Sequence, residues 1–123
     1  MTQHLPRTAT VKILVTKALE IEEPDWCAGH GEAVAQFKPD VTHYGPEHVI
    51  GSYGHEVLHA MLAQSPFSEV ASPDLALFVE TGDFTGAYSP AEVAELADAL
   101  EAAAGQLRAL GRQLARLLPG GDR

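Results

Sequence analysis

From residue 89 onward the chain is committed to one long helix. Ser89-Pro90-Ala91-Glu92 reads as a capping box. The serine is the N-cap, the proline is preorganised for the first turn, and the glutamate reaches back to the N-cap amide. Only Gly105 and Gly111 interrupt the helical pattern before Pro119-Gly120-Gly121 ends it. The spacing predicts a helix of about 29 residues, or roughly 43 Å at 1.5 Å per residue. A chain of 123 residues makes one domain, with a radius of gyration near ~14 Å. The helix therefore outruns the body that should cover it.

Its apolar residues repeat in two seams. Val93, Leu100, Leu107 and Leu114 recur every seven residues, and Leu96, Ala103, Leu110 and Leu117 interleave with them. The first half is expected to lie across the chain's own sheet as an amphipathic helix. The second half is expected to meet a partner helix through Leu107, Leu110, Leu114 and Leu117, flanked by Arg108, Arg112 and Arg116. An antiparallel copy would set Glu95, Asp98 and Glu101 near Arg116, Arg112 and Arg108, so a homodimer through this helix is expected, with a different helical partner as the other option.

The charges are segregated. Residues 1–107 hold 16 acids and 4 bases, a net of −12, and residues 108–123 hold four arginines against Asp122, a net of +3. An acidic body repels nucleic acid and anionic membrane surfaces, so neither is the expected partner. No apolar run approaches the roughly 20 residues of a membrane span. The start of the chain lacks the apolar core of a secretory signal, which points to the cytoplasm. With one cysteine, Cys27, the chain forms no internal disulfide.

Ahead of the helix the pattern is that of a small, mainly antiparallel sheet over residues 10–81, giving an α+β fold. Thr10–Leu19 is dense in β-branched residues and reads as a strand. Residues 26–46 read as a loop long enough to need something to hold it. His48–Tyr53 and His55–Gln64 are two short elements joined at Gly54, Leu75–Thr81 reads as the clearest buried strand, and Gly82–Tyr88 as a turn. The expected layout is one domain over 1–123. Residues 1–9 are flexible, 10–88 hold sheet and loops, 89–118 form the helix, and 119–123 are a tail.

Two constellations carry chemistry. His55-Glu56-Val57-Leu58-His59 matches HExxH. On a helix its histidines would share a face and hold zinc while Glu56 activates water. Gly54 and Pro66 leave room for only a short helix, and Leu62 and Ser65 stand where the extended motif needs Gly and His. A strand is the competing reading, with His55, Val57 and His59 on one face and Glu56 and Leu58 on the other. The second constellation is Cys27-Ala28-Gly29-His30 followed by His43. Cys-x2-His offers sulfur and imidazole to one ion, and a loop can bring His43 round as a third donor. Such donors favour zinc in a reducing compartment. Glu23, His48 or a water could complete the set; a free cysteine beside surface histidines is the alternative.

Glu23-Pro24-Asp25-Trp26-Cys27-Ala28-Gly29-His30, the later Thr42-His43 and the closing Ser89–Leu100 stretch resemble small actinobacterial domains of unknown function. Those open on Cys-Pro-x-Trp-Cys…His…His and end on an Ala/Leu-rich helix. The resemblance covers about residues 20–107. It implies a zinc-like Cys/His cluster, a small antiparallel sheet with residues 55–64 in a strand, and no established activity. Glu23 stands where the family pattern has its first cysteine. The expected metal ligands are thus Cys27, His30, His43 and Glu23, with His55 and His59 as the alternative pair. The expected function is a non-enzymatic cytoplasmic binding or regulatory module, zinc-stabilised and associating through its C-terminal helix. The alternative is a small zinc hydrolase with Glu56 as its catalytic residue.

Overall fold

The computed structural model describes residues 5–31, 35–52 and 54–119. Four strands and one helix follow a short 3-10 turn at Lys38–Asp40: β1 (His43–Tyr44), β2 (His48–Ser52), β3 (His55–Gln64), β4 (Ala76–Thr81) and α1 (Pro90–Leu117). This is the expected α+β class. All strand pairs are antiparallel, and β3 is the centre of the sheet. Its early residues pair with β2, its last two with β1, and its other edge with β4. A ten-residue strand can serve three neighbours because it spans about 33 Å.

The helix packs on β2, β3 and β4. The core is small: Ile50, Val57, Ala60, Ala99 and Ala103, with Leu58, Leu77, Phe84, Leu107 and Leu110 packed around it. Ala99 and Ala103 are one turn apart, so α1 approaches the sheet on its smallest side chains. The capping box forms as expected: the Glu92 amide donates to the Ser89 hydroxyl, and the Ser89 amide to the Glu92 carboxylate.

The two-seam expectation needs correction. Leu107 and Leu110, read as partner-binding, pack against the chain's own core. Leu114 is half-buried, while Val93, Leu100 and Leu117 stay exposed. The inward stripe runs Ala99, Ala103, Leu107, Leu110, which is the 3.6-residue period of a helix on a sheet rather than the 3.5-residue seam of a coiled coil. Arg108, Arg112 and Arg116 are exposed and make no ion pair among the described residues.

Two strand expectations also change. Thr10–Leu19 joins no strand; its backbone is unpaired with any described residue and its side chains are exposed. The sheet begins at His43 instead. Leu75–Thr81 does yield β4, but as an exposed edge rather than a buried strand. The β density of both segments is real; what the sequence cannot show is which of them has a partner.

A bulge bends the β2–β3 hairpin. Ile50 faces Leu58 but Gly51 faces Glu56, leaving Val57 as the extra residue. Gly51 has φ +135°, and a Cβ there would lie 2.1 Å from the His55 carbonyl oxygen. The outer edge of the bulge is closed by α1. The Gly51 amide donates to the Gln106 side chain at 2.7 Å, and the Gln106 amide nitrogen donates to the Gly51 carbonyl at 3.2 Å. No described helix is long and apolar enough to cross a membrane.

Candidate metal centre

The Glu23–His30 turn and β1 bring four donors together. Pro24 to Cys27 closes a turn, with the Cys27 amide donating to the Pro24 carbonyl at 3.0 Å. The next residue is anchored to the sheet: the Ala28 amide donates to the Tyr44 carbonyl on β1 at 2.8 Å. Gly29, at φ +98°, turns the chain back, and its amide donates to Cys27 Sγ at 3.4 Å. These contacts hold Cys27 and His30 three residues apart on one side of a tight turn.

His43 reaches the same point from the sheet. It pairs with Gln64 in the β1–β3 ladder and is only 2% exposed. The Trp26 ring meets it edge-on at 6.3 Å. At Gly45 the chain runs so close that a Cβ would stand 3.3 Å from both the Leu62 Cβ and the Trp26 carbonyl oxygen. One hydrogen bond between Thr42 and Ser65, 2.7 Å, ties the strand entry to the end of β3.

Glu23, Cys27, His30 and His43 converge, each offering one donor atom, with all four atoms within 4.8 Å of one another. His30 Nε2 is 3.2 Å from His43 Nδ1 and 3.8 Å from Cys27 Sγ. Glu23 Oε1 is 3.2 Å from His30 Nε2 and 3.4 Å from His43 Nδ1. This cluster could hold a metal ion. Around a tetrahedral ion with bonds of about 2.0–2.1 Å to nitrogen or oxygen and about 2.3 Å to sulfur, donors stand about 3.3–3.6 Å apart. The four separations, 3.2–3.8 Å, lie on either side of that range.

The carboxylate and the thiol shift in opposite directions. Glu23 sits below the usual carboxylate range, held down first by a hydrogen bond from the Cys27 thiol and then by the two imidazoles. Cys27 is pushed up, first by burial and then by the Glu23 carboxylate beside it. A divalent cation reverses the second effect, because a coordinated thiol loses its proton outright.

The HExxH residues do not converge. Residues 55–64 are strand β3, not helix. Four residues along a strand cover about 13 Å, against roughly 6 Å along a helix. His55 Nε2 instead lies 3.3 Å from Glu95 on α1, and His59 Nδ1 bonds Glu47. Glu56 stands 3.6 Å from His59 Nε2, so the motif's glutamate is a neighbour of one histidine and no longer faces a shared ion. The alternative ligand pair and the catalytic role for Glu56 therefore lose their geometry. His48, the other candidate for a fourth donor, is on β2 opposite Ala60.

Two structural contacts had no sequence signal. Nothing marks Gln106 among the polar residues of α1 as the clamp on Gly51. Nor does spacing pair Glu47 with His59, since the hairpin register decides it. Glu47 holds His59 above the ordinary imidazole range by that hydrogen bond, with the Glu47, Glu56 and Glu80 charges adding to it.

A family model described as a domain of unknown function (DUF6907) matches residues 5–116. The chain belongs to this family. None of the curated proteins and none of the solved structures matches it.

Proposed function

We propose that this DUF6907 domain is a non-enzymatic, zinc-stabilised binding module whose Glu23, Cys27, His30 and His43 hold one structural zinc ion. The observation that carries the reading is the convergence of four donor atoms within 4.8 Å of one another, with separations of 3.2, 3.2, 3.4 and 3.8 Å on either side of the tetrahedral edge length. A thiolate, two imidazoles and a carboxylate are a donor set suited to zinc rather than to magnesium or calcium. Four protein donors also close the tetrahedron, whereas a hydrolytic zinc keeps a position open for water. In the family pattern as the sequence resembles it, Glu23 replaces a cysteine, so the carboxylate is the harder and weaker of the four donors.

Such a centre would hold the Glu23–His30 turn in place. It links the Glu23–His30 turn to β1, and binding energy there is folding energy. The exposed row Arg108, Arg112 and Arg116 leaves a basic helix face for an acidic protein partner in the cytoplasm, the module's proposed binding role. Metal analysis of protein purified without chelator tests the reading, with Cys27→Ser and His55→Ala side by side. One zinc per chain, lost in Cys27→Ser and kept in His55→Ala, is expected. Zinc kept in Cys27→Ser and lost in His55→Ala would return the metal to the HExxH motif.

A further inference from the structure

The sheet has two outer edges and they are treated differently. The β2 edge is closed at Gly51 by both ends of the Gln106 amide. The β4 edge is open: among the described residues β4 pairs with β3 alone. Natural edge strands are usually protected by lysine, proline or a bulge. Ala76–Thr81 has no lysine, proline or bulge and a single charged residue, Glu80, and Phe78 and Val79 remain 44% exposed.

The chain also carries one β-rich segment that joins no sheet. In Thr10–Leu19 the alternating residues Val11, Ile13 and Val15 are 72%, 76% and 79% exposed, and Leu14 is 87% exposed. Its backbone makes no hydrogen bond to any described residue. An open edge offers the ladder that this segment lacks, and each would satisfy the other's unpaired amides and carbonyls.

The charges agree. Lys12 and Lys17 flank Ile13–Thr16, whereas Asp74 and Asp83 flank β4 and Glu80 lies within it. In its own chain the segment forms no pair with that edge, so a second copy is the source of a strand to fill it. We infer that Thr10–Leu19 of a second copy adds to the free edge of β4, in a reciprocal exchange that gives a symmetric dimer. Two equal exchanges close the assembly and leave neither edge nor segment unpaired. The dimer is independent of the metal reading, because it uses none of the four donors.

Sedimentation equilibrium at micromolar concentration tests it, on the zinc-loaded full chain and two variants. Ile13→Asp/Val15→Asp removes the apolar strand face at positions already exposed in the single chain, so folding is kept. Leu114→Glu/Leu117→Glu challenges the helix instead. The native chain and the helix variant should be dimers, while the strand variant's dissociation constant should rise about 100-fold or more. Amide exchange within residues 10–19 should slow as concentration rises. A monomeric native chain, or a dimer lost only in the helix variant, would overturn the inference. So would protection of residues 10–19 that does not depend on concentration, which would mean pairing within one chain.

Discussion

His30 Nε2 lies 3.2 Å from His43 Nδ1, although thirteen residues separate them in the chain. Two imidazole nitrogens at that distance are at home on a shared proton or a shared cation. The Glu23 carboxylate reaches both, at 3.2 and 3.4 Å, and the cysteine sulfur completes the group. The turn supplies one histidine and the sheet supplies the other, so an ion held there fastens loop to sheet.

Replacing Glu23 by cysteine should tighten zinc binding, because a thiolate is a softer donor than a carboxylate. Cys27→Ser should weaken it by more than the roughly 10–100-fold typical of losing a partner outside the coordination sphere. Competition with a chromophoric chelator at pH 7.5 measures both. Equal affinity in Glu23→Cys and the native chain would mean that Glu23 is not a ligand.

Zinc removal should loosen the loop selectively. Amides of residues 25–31 and His43 should exchange faster with chelator present, while those of β3 and α1 change less. Uniform deprotection of the whole chain would indicate instead that the entire fold depends on the ion.

His59 gives a pH dependence with a definite sign. Its folded pKa is raised above 6.5, first by the hydrogen bond to Glu47. The ion pair therefore contributes fully below about pH 6.5 and is lost as pH rises through the folded value. Urea unfolding of the native chain and Glu47→Gln should show a stability difference at pH 5.5 that shrinks by pH 9. A difference that grows with pH would contradict the assignment.

The helix start and the bulge should each respond to single substitutions. Ser89→Ala removes the N-cap and should cost about 0.5–2 kcal/mol. Gln106→Ala removes two hydrogen bonds to Gly51 and should cost about 1–3 kcal/mol. Gly51→Ala should cost more than either at a lower denaturation midpoint, since its Cβ would overlap the His55 carbonyl. Denaturant titrations with unchanged slopes would check all three.

Much of this fold is local and therefore readable. The capping box specifies where α1 begins, and Pro119 with the following glycines marks its end, because both act through neighbouring backbone atoms. The four clustered side chains were legible as a Cys-x2-His pair plus one later histidine, and Glu23 through its place in the family pattern. What escaped was decided at long range. The same β-rich composition gives a central strand at 55–64, an edge at 76–81 and an unpaired segment at 10–19. Strand partners distinguish the three, and partners are not encoded within a window. Likewise Leu107 and Leu110 fit a coiled-coil seam by spacing. Packing on the sheet beneath them selects the 3.6-residue stripe through Ala99 and Ala103.

X-ray absorption at the zinc edge on the metal-loaded full chain tests the central claim most directly. The predicted result is one zinc per chain with one sulfur at about 2.3 Å and three nitrogen or oxygen donors at about 2.0–2.1 Å. The sulfur shell should vanish in Cys27→Ser. A four-coordinate zinc without sulfur in the native chain, or a chain that binds no stoichiometric zinc, would contradict the account.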